Sequence, residues 1–190
     1  MAGDAVRFGP APEHWIRDAV RLQLDLEAFD GTQFVPYLQR CQQSGIGFTT
    51  MAAMGDTAEC RRALYELDKA CSADIPGQGA FYTFDEYVEQ RMKPPGYDPQ
   101  AIVLAVSQGM WVGMAATSLR HDEGCAVSDM TGVLPSYRGR GISVAMKLLA
   151  IEFTRSNGVR WLRTLHHPAN AAAIGMNRRL GFAGYGPRAG

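Results

Sequence analysis

The sequence predicts a mixed α/β fold, and three patterns carry that prediction. Val20, Leu22, Leu24 and Leu26 alternate with Arg21, Gln23 and Asp25, the period of a strand with one buried face. Leu64, Leu67 and Cys71, and later Ile142, Met146, Leu149 and Phe153, recur at three and four residues, as on helices that pack against a sheet. Residues 129–156 read as buried strand, tight turn and long helix, and the other elements are arranged around that stretch.

In chain order, residues 1–14 are Gly- and Pro-rich and read as irregular. After the strand at 20–26 comes a turn at Asp30-Gly31-Thr32. Phe34 to Gln43 then forms a short helix that tolerates Pro36 only because it lies in the first turn. Ile46, Phe48 and Thr50 mark a strand, and Gly55-Asp56-Thr57 caps a helix that runs to Cys71. A loop over 74–79 leads to Phe81, Tyr82, Phe84 and Tyr87, with Asp85 and Glu86 among them, ahead of a short helix that must stop before Pro94-Pro95. Two readings of this segment stand level, a substrate lid and ordinary aromatic core.

Ala101 to Ser107 and Met110 to Leu119 form a hairpin turned at Gln108-Gly109, and a polar turn over 120–124 leads into the strand that carries Asp129. The helix after it stops at Asn157-Gly158. Val159 to Leu165 is then a strand parallel to the Asp129 strand, because a helix joins the two. A last helix from Asn170 to Leu180, closed by Gly181, sets Asn170, Ile174 and Asn177 on one face.

With 190 residues, 46% of them hydrophobic, the chain can bury the core of one domain with an addition. Its 19 basic and 19 acidic residues cancel, which gives no reason to expect nucleic acid or an acidic membrane as partner and favours a small molecule. Cys41, Cys60, Cys71 and Cys125 form no C-x-x-C pair and no zinc-like spacing, so neither a metal nor a disulfide framework is indicated. Residues 1–12 lack an apolar signal core, and no apolar run approaches the ~20 residues that span a bilayer, so the cytoplasm is the default compartment.

Chemistry enters at Arg138-Gly139-Arg140-Gly141-Ile142-Ser143. Glycines let the backbone bend and approach a ligand, the first helical turn leaves N–H groups unpaired, and the arginines add full charge. This is an anion cradle suited to a diphosphate. A dinucleotide site fails on detail, since no G-x-G-x-x-G lies between strand and helix.

Val133-Leu134-Pro135, Arg138 to Ser143 and Asn170 to Phe182 stand together in an order and at a spacing that resembles the GCN5-related N-acetyltransferase (GNAT) family, over residues 46–186. The pattern is most similar to the C-terminal half of two-domain members. That resemblance implies a mixed, mostly antiparallel sheet flanked by helices, whose central parallel strands splay to form an acyl-CoA groove. It implies that main-chain groups of Thr131, Gly132 and Val133 hold pantetheine and the thioester carbonyl. Arg138 and the amides of Gly139, Arg140, Gly141, Ile142, Ser143 and Val144 would hold the diphosphate, with Asn170 also on the cofactor. Arg138 and Gly141 meet the family pattern, whereas Ser143 stands where Gly or Ala is usual. Asn177 stands where many members have the Tyr that protonates the departing thiolate, and an amide is no proton donor. Asn177 could instead hydrogen-bond the sulfur while water delivers the proton.

The resemblance divides the chain into an extension, 1–45, and an acetyltransferase domain, 46–190. The family's terminal strand is expected to be missing after Phe182, and residues 20–26 could fill its slot, in their own sheet or in that of a second copy as a homodimer.

The implied activity is transfer of the acetyl group of acetyl-CoA to a primary amine of a small molecule, by direct attack in a ternary complex. Asp129, expected on the same side as Thr131, is the first choice of base, and the Val133 amide a donor to the oxyanion. His121, Glu123, His166 and His167 are alternative bases acting through water. The loop from Asp74 to Glu86, with Asp74, Asp85, Phe81, Phe84 and Glu86, is expected to read the acceptor's ammonium. Other readings are a catalytically inactive acyl-CoA-binding or structural domain, and a protein N-terminus or lysine as acceptor.

Overall fold

The structure, a computed structural model, describes residues 18–186. The irregular segment expected at 1–14 lies outside the described residues. Among the described residues seven strands form one sheet: β1 (Val20–Asp25), β2 (Ile46–Thr50), β3 (Ile102–Ser107), β4 (Met110–Arg120), β5 (Cys125–Val133), β6 (Trp161–His166) and β7 (Ala183–Gly184), in the order β2-β3-β4-β5-β6-β1-β7. All neighbours are antiparallel except β5 and β6, which are joined through a helix and run parallel.

The alternation expected at residues 20–26 is what β1 shows. Leu22 and Leu24 face the core, and the backbone pairs with β6 from Val20↔His166 to Asp25↔Trp161. This N-terminal strand lies in its own chain's sheet, between β6 and β7. The expectation that the chain lacks a terminal strand is corrected, because Ala183 and Gly184 pair with Gln23 and Leu22. A two-residue Ala-Gly strand shows no period and no apolar side chain, so only its backbone reveals it.

Two helical layers cover the sheet. On one face lie α1 (Val35–Gln43) and α4 (Ile142–Ser156), and Cys41, Ile142, Ala145 and Met146 pack there on Val103, Ala105 and Val133. The opposite face carries α2 (Ala58–Ser72) and α3 (Phe84–Tyr87), which continues as a π turn through Met92. Leu64, Tyr65, Leu67 and Cys71 pack there on Ile102, Leu104 and Met114. Alternate residues of β3 thus enter different layers, which is why the strand reads as a continuous apolar run. The last helix, α5 (Ala171–Arg179), joins β1, β6 and α4 in a third cluster through Ile174 and Met176.

Local chemistry ends these elements where the residues suggest. Gln108 and Gly109 both take positive φ, +49° and +79°, the left-handed pair of a two-residue hairpin turn. The Thr57 hydroxyl accepts the Cys60 amide at 3.2 Å and caps α2. One expectation is only partly met: Leu149 and Phe153 of α4 are half-buried, while Val144, Lys147, Leu148 and Ile151 are buried. The helix is covered by α1 as well as by the sheet, so its buried surface is wider than one stripe. Among the described residues no helix is long and apolar enough to cross a membrane.

Because β1 joins β6 to β7, its core side chains support two ladders of the sheet at once. Leu22 is 1% exposed, and Leu22→Ala is expected to destabilise the chain by about 2–5 kcal/mol in urea unfolding. A loss below about 1 kcal/mol would mean that β1 is not an integral strand.

Candidate active site

Parallel pairing between β5 and β6 covers only Cys125↔Trp161, Ala126↔Leu162 and Val127↔Arg163. Beyond it the strands part. The cause lies in β5, where Ser128 pairs with Thr117 and Met130 with Ala116, so that Asp129 is an extra residue with none opposite. Such a bulge bends its strand and increases its twist. The Thr164 hydroxyl, 3.3 Å from the Ser128 carbonyl, makes the last link across. Further along, the Leu134 amide donates to the Val112 carbonyl on β4 at 2.9 Å, so by strand alternation the Val133 amide points the other way, into the opening.

The cradle closes one end of this V. A 3-10 turn at Pro135–Tyr137 is followed by Gly139 and Gly141 at φ +75° and +80°. Gly141 is the N-cap of α4, and no side chain caps the helix there, so the amides of its first turn face outward unclaimed by a cap. A Cβ at Gly141 would lie 2.7 Å from Cδ1 of Tyr37 on α1, so that ring shapes the turn. Gly132 is as constrained on the other side of β5, where a Cβ would lie 2.5 Å from Cβ of Cys71. Ile142 and Val144 are buried and offer the cradle only main chain, while Ser143 is half-exposed.

The two arginines are less free than their charges suggest. Arg138 donates through Nε to the Val133 carbonyl at 3.0 Å and pairs with Asp74 at 2.7 Å. Arg140 donates to the Ser136 carbonyl at 3.0 Å and lies over the Tyr137 ring. Both therefore stitch the cradle together. The Arg138–Asp74 pair is exposed, which limits it to about 0–1 kcal/mol.

Inside the V is a polar cluster of which pattern reading named His166 and Asn177 but missed Lys147. Lys147 of α4 is 1% exposed and reaches the hydroxyls of Ser128 and Thr131, the second at 3.4 Å. Burial pushes its ammonium down to about 7, against the pull of the Asp129 charge. Next to it, burial and the Lys147 charge hold His166 down at about 4, so the ring is neutral at pH 7. Asn177, fully buried, donates to the Ala173 carbonyl at 3.0 Å and makes a 2.8 Å hydrogen bond with Nε2 of His166. Its own Oδ1 has no partner among the described residues. Asn170 serves as the N-cap of α5, accepting the Ala173 amide at 3.2 Å. That assigns its side chain a local task in place of the expected cofactor contact.

Asp129 faces elsewhere. Its carboxylate accepts the Ser118 hydroxyl and opens on a cavity of about 750 Å³ between β4, β5, α2 and the residues after α3. Thr131 does not line that cavity, because the bulge turns the two residues to different neighbours. The expected shared side is thereby corrected. Burial raises the Asp129 carboxyl, opposed by the nearby Arg91 charge and the Ser118 hydrogen bond. Asp68 is raised in the same way and is held by Tyr87 at 2.8 Å and Ser72 at 3.0 Å.

The lid expectation shifts along the chain. Phe81 and Phe84 stack on Tyr65 at 5.7 and 5.5 Å, and Glu86 completes a capping box with Thr83. Neither these three nor Asp74 lines the cavity, whose wall comes instead from Glu89 to Met92 and Pro94 to Asp98. Aromatic packing and capping absorbed the residues proposed to bind an acceptor. Of the alternative bases, His121 is exposed, Glu123 pairs with Arg120 at 3.2 Å, and Nδ1 of His167 accepts the Ala169 amide at 3.1 Å. Asp68 and Lys147 did carry a signal, since each is a charged residue on the apolar side of a helix.

A model of the acetyltransferase (GNAT) family matches residues 61–182. A mycothiol acetyltransferase from Thermobifida fusca is 30% identical over 120 residues, 58% of this chain and 36% of that protein. The chain thus spans little more than a third of that relative's length. Among solved structures, a GCN5-related N-acetyltransferase from Sphaerobacter thermophilus has TM-score 0.61 at 20% identity, covering 88% of this chain and 48% of the other. A tandem GNAT protein from the clavulanic acid biosynthesis pathway has TM-score 0.60 at 19% identity, covering 88% and 50%. At those identities the two structures speak for the fold. With the family model matched across most of the described residues, on a sheet whose central parallel strands part, the chain belongs to the acetyltransferase (GNAT) family.

Proposed function

We propose that the chain is an N-acetyltransferase that moves the acetyl group of acetyl-CoA to a primary amine of a small molecule, by direct attack in a ternary complex. The observation that carries this reading is the position of the Asp129 bulge, with the glycine cradle and V to one side and a carboxylate-rich cavity to the other. Acetyl-CoA fits the residues present. The first turn of α4 has no side-chain cap at Gly141, which leaves its amides to an anion, and Asn177 Oδ1 is a buried atom awaiting a partner. When bound, the cosubstrate supplies the activated acyl group.

The chain's own residues would do the following. Amides of Gly139 to Val144 hold an anionic group, the main-chain groups of Thr131 to Val133, which β6 does not pair, would hold the pantetheine arm, and the Val133 amide faces the developing oxyanion. Asp129, raised by burial yet kept ionisable by Arg91, accepts the acceptor's proton. The cavity sets six carboxylates (Asp68, Glu89, Asp98, Asp122, Glu123 and Asp129) against Arg91 and Arg120, a balance that favours a cationic amine. Arg91, Arg120 and Thr117 line the same cavity, and Nε of each arginine and the Thr117 hydroxyl have no partner among the described residues, which suits an acceptor with an oxygen near its amine.

The curated relatives are named for mycothiol, but the chain spans too little of them for the name to fix its acceptor. In this reading residues 46–190 are the transferase domain and residues 1–45 an extension whose strand completes the sheet. An acyl-CoA-binding domain without turnover is the second reading, favoured by Asn177 in place of a proton donor.

Two outcomes are expected. Asp129→Asn should lower kcat about 100-fold or more with CoA affinity kept. The wild-type rate should fall as pH drops through the raised Asp129 value, because the base is then protonated, and Asp129→Asn should abolish that acid limb. Near-normal turnover of the variant would remove Asp129 as base. Gly141→Ala must hold a left-handed φ against Tyr37, at about 1–2 kcal/mol, so CoA affinity by calorimetry should drop roughly tenfold. Unchanged affinity would place the cofactor elsewhere.

A further inference from the structure

Buried lysines ordinarily pair with a carboxylate or surrender their proton. Lys147 has two hydroxyl partners, on Ser128 and Thr131, and the Phe182 ring 5.5 Å away, with no ion pair among the described residues. Both hydroxyls belong to β5 at and beyond the point where β6 departs. The titratable groups whose charge is felt at or from Lys147 are Asp129 on β5, which opens on the cavity, and His166 on β6. His166 is engaged with Asn177, whose Oδ1 is unpartnered in the same interior. An amine with an N–H to spare and an amide oxygen without a donor therefore converge at the head of the V, and neither is needed to hold the strands together.

We propose that Lys147 is the proton donor to the thiolate released from acyl-CoA, a step for which the Asn177 amide has no acidic proton. This rests on the acetyl-CoA reading above. As the acceptor nitrogen bonds to the carbonyl carbon, the carbon–sulfur bond breaks and its electron pair stays on sulfur. Lys147 Nζ–H passes a proton to that sulfur, leaving a neutral amine and the free thiol. Of the two protons the acceptor ammonium loses, one recharges Lys147 through solvent and the other is released. A lysine held at about 7 gives its proton readily to a thiolate whose own value is about 8.5. Neutral His166 does not oppose the charge, and the Asn177–His166 hydrogen bond fixes the ring beside it.

Calorimetric titration of the full chain with CoA and with desulfo-CoA, in which hydrogen replaces the thiol, tests this without an acceptor. An ammonium close to the sulfur should make CoA about tenfold preferred. The preference should peak between about pH 7 and 8.5, where an ammonium–thiolate pair carries the same protons as free amine plus thiol. Lys147→Met should erase the preference and leave desulfo-CoA affinity intact, while Lys147→Arg should keep it without the alkaline decline. A wild-type ratio that is flat with pH, or equal weakening of both ligands in Lys147→Met, would reduce Lys147 to a structural residue. Should the Met variant fail to fold, the wild-type pH profile decides alone. Binding of neither ligand by the wild type would remove the acetyl-CoA reading together with this one, a result distinguished by the loss of desulfo-CoA binding itself.

Discussion

Each amide and carbonyl that leaves a sheet ladder must find another partner or water, and β5 gives up its β6 neighbour after Cys125, Ala126 and Val127. The chain answers that demand unevenly. Thr164 closes the first gap by reaching the Ser128 carbonyl, and Lys147 ties the Ser128 and Thr131 hydroxyls to α4. Arg138 takes the Val133 carbonyl at the far end. What lies between is backbone with its donors and acceptors turned into the opening. The groove is thus a local deficit of hydrogen bonds, beside a single apolar cluster in which α4, α5, β1 and β6 are packed together.

The cavity on the other side depends on a shared charge. Arg91 lies between Asp68 and Asp129, and both carboxyls feel it. Asp68 is also the acceptor for the Tyr87 hydroxyl, and Tyr87 stacks with Tyr65, so the charge centre and the aromatic core of α2 and α3 are one assembly. Removing any one of these would leave buried polar groups unmatched, which is why they act as a unit.

Most of the framework was legible in residue patterns because it rests on periodicity and on turn chemistry. Leu22 and Leu24 marked β1, Thr57 marked the start of α2, and Gln108-Gly109 marked the hairpin. The cradle was legible because Gly139 and Gly141 are needed where φ is positive. The bulge was not, since an extra residue in a strand depends on its neighbour's register, and Asp129 looks like any alternating position until β4 is laid beside it. The aromatic segment misled for a related reason. Phe81 and Phe84 signal burial as strongly as binding, and only their stacking on Tyr65 decides between the two.

The place of β1 bears on how the molecule is made. Residues 20–25 are synthesised well before their partners, residues 161–166 and 183–184. Closing such distant contacts slows folding, and domains made from the N-terminus onward wait for late segments before they can finish. The meander from β3 to β5 can assemble from neighbours in sequence, but β1 must remain unpaired until β6 has left the ribosome. During that interval an alternating apolar strand has no sheet to join, and the nascent chain's need for protection is greatest at β1.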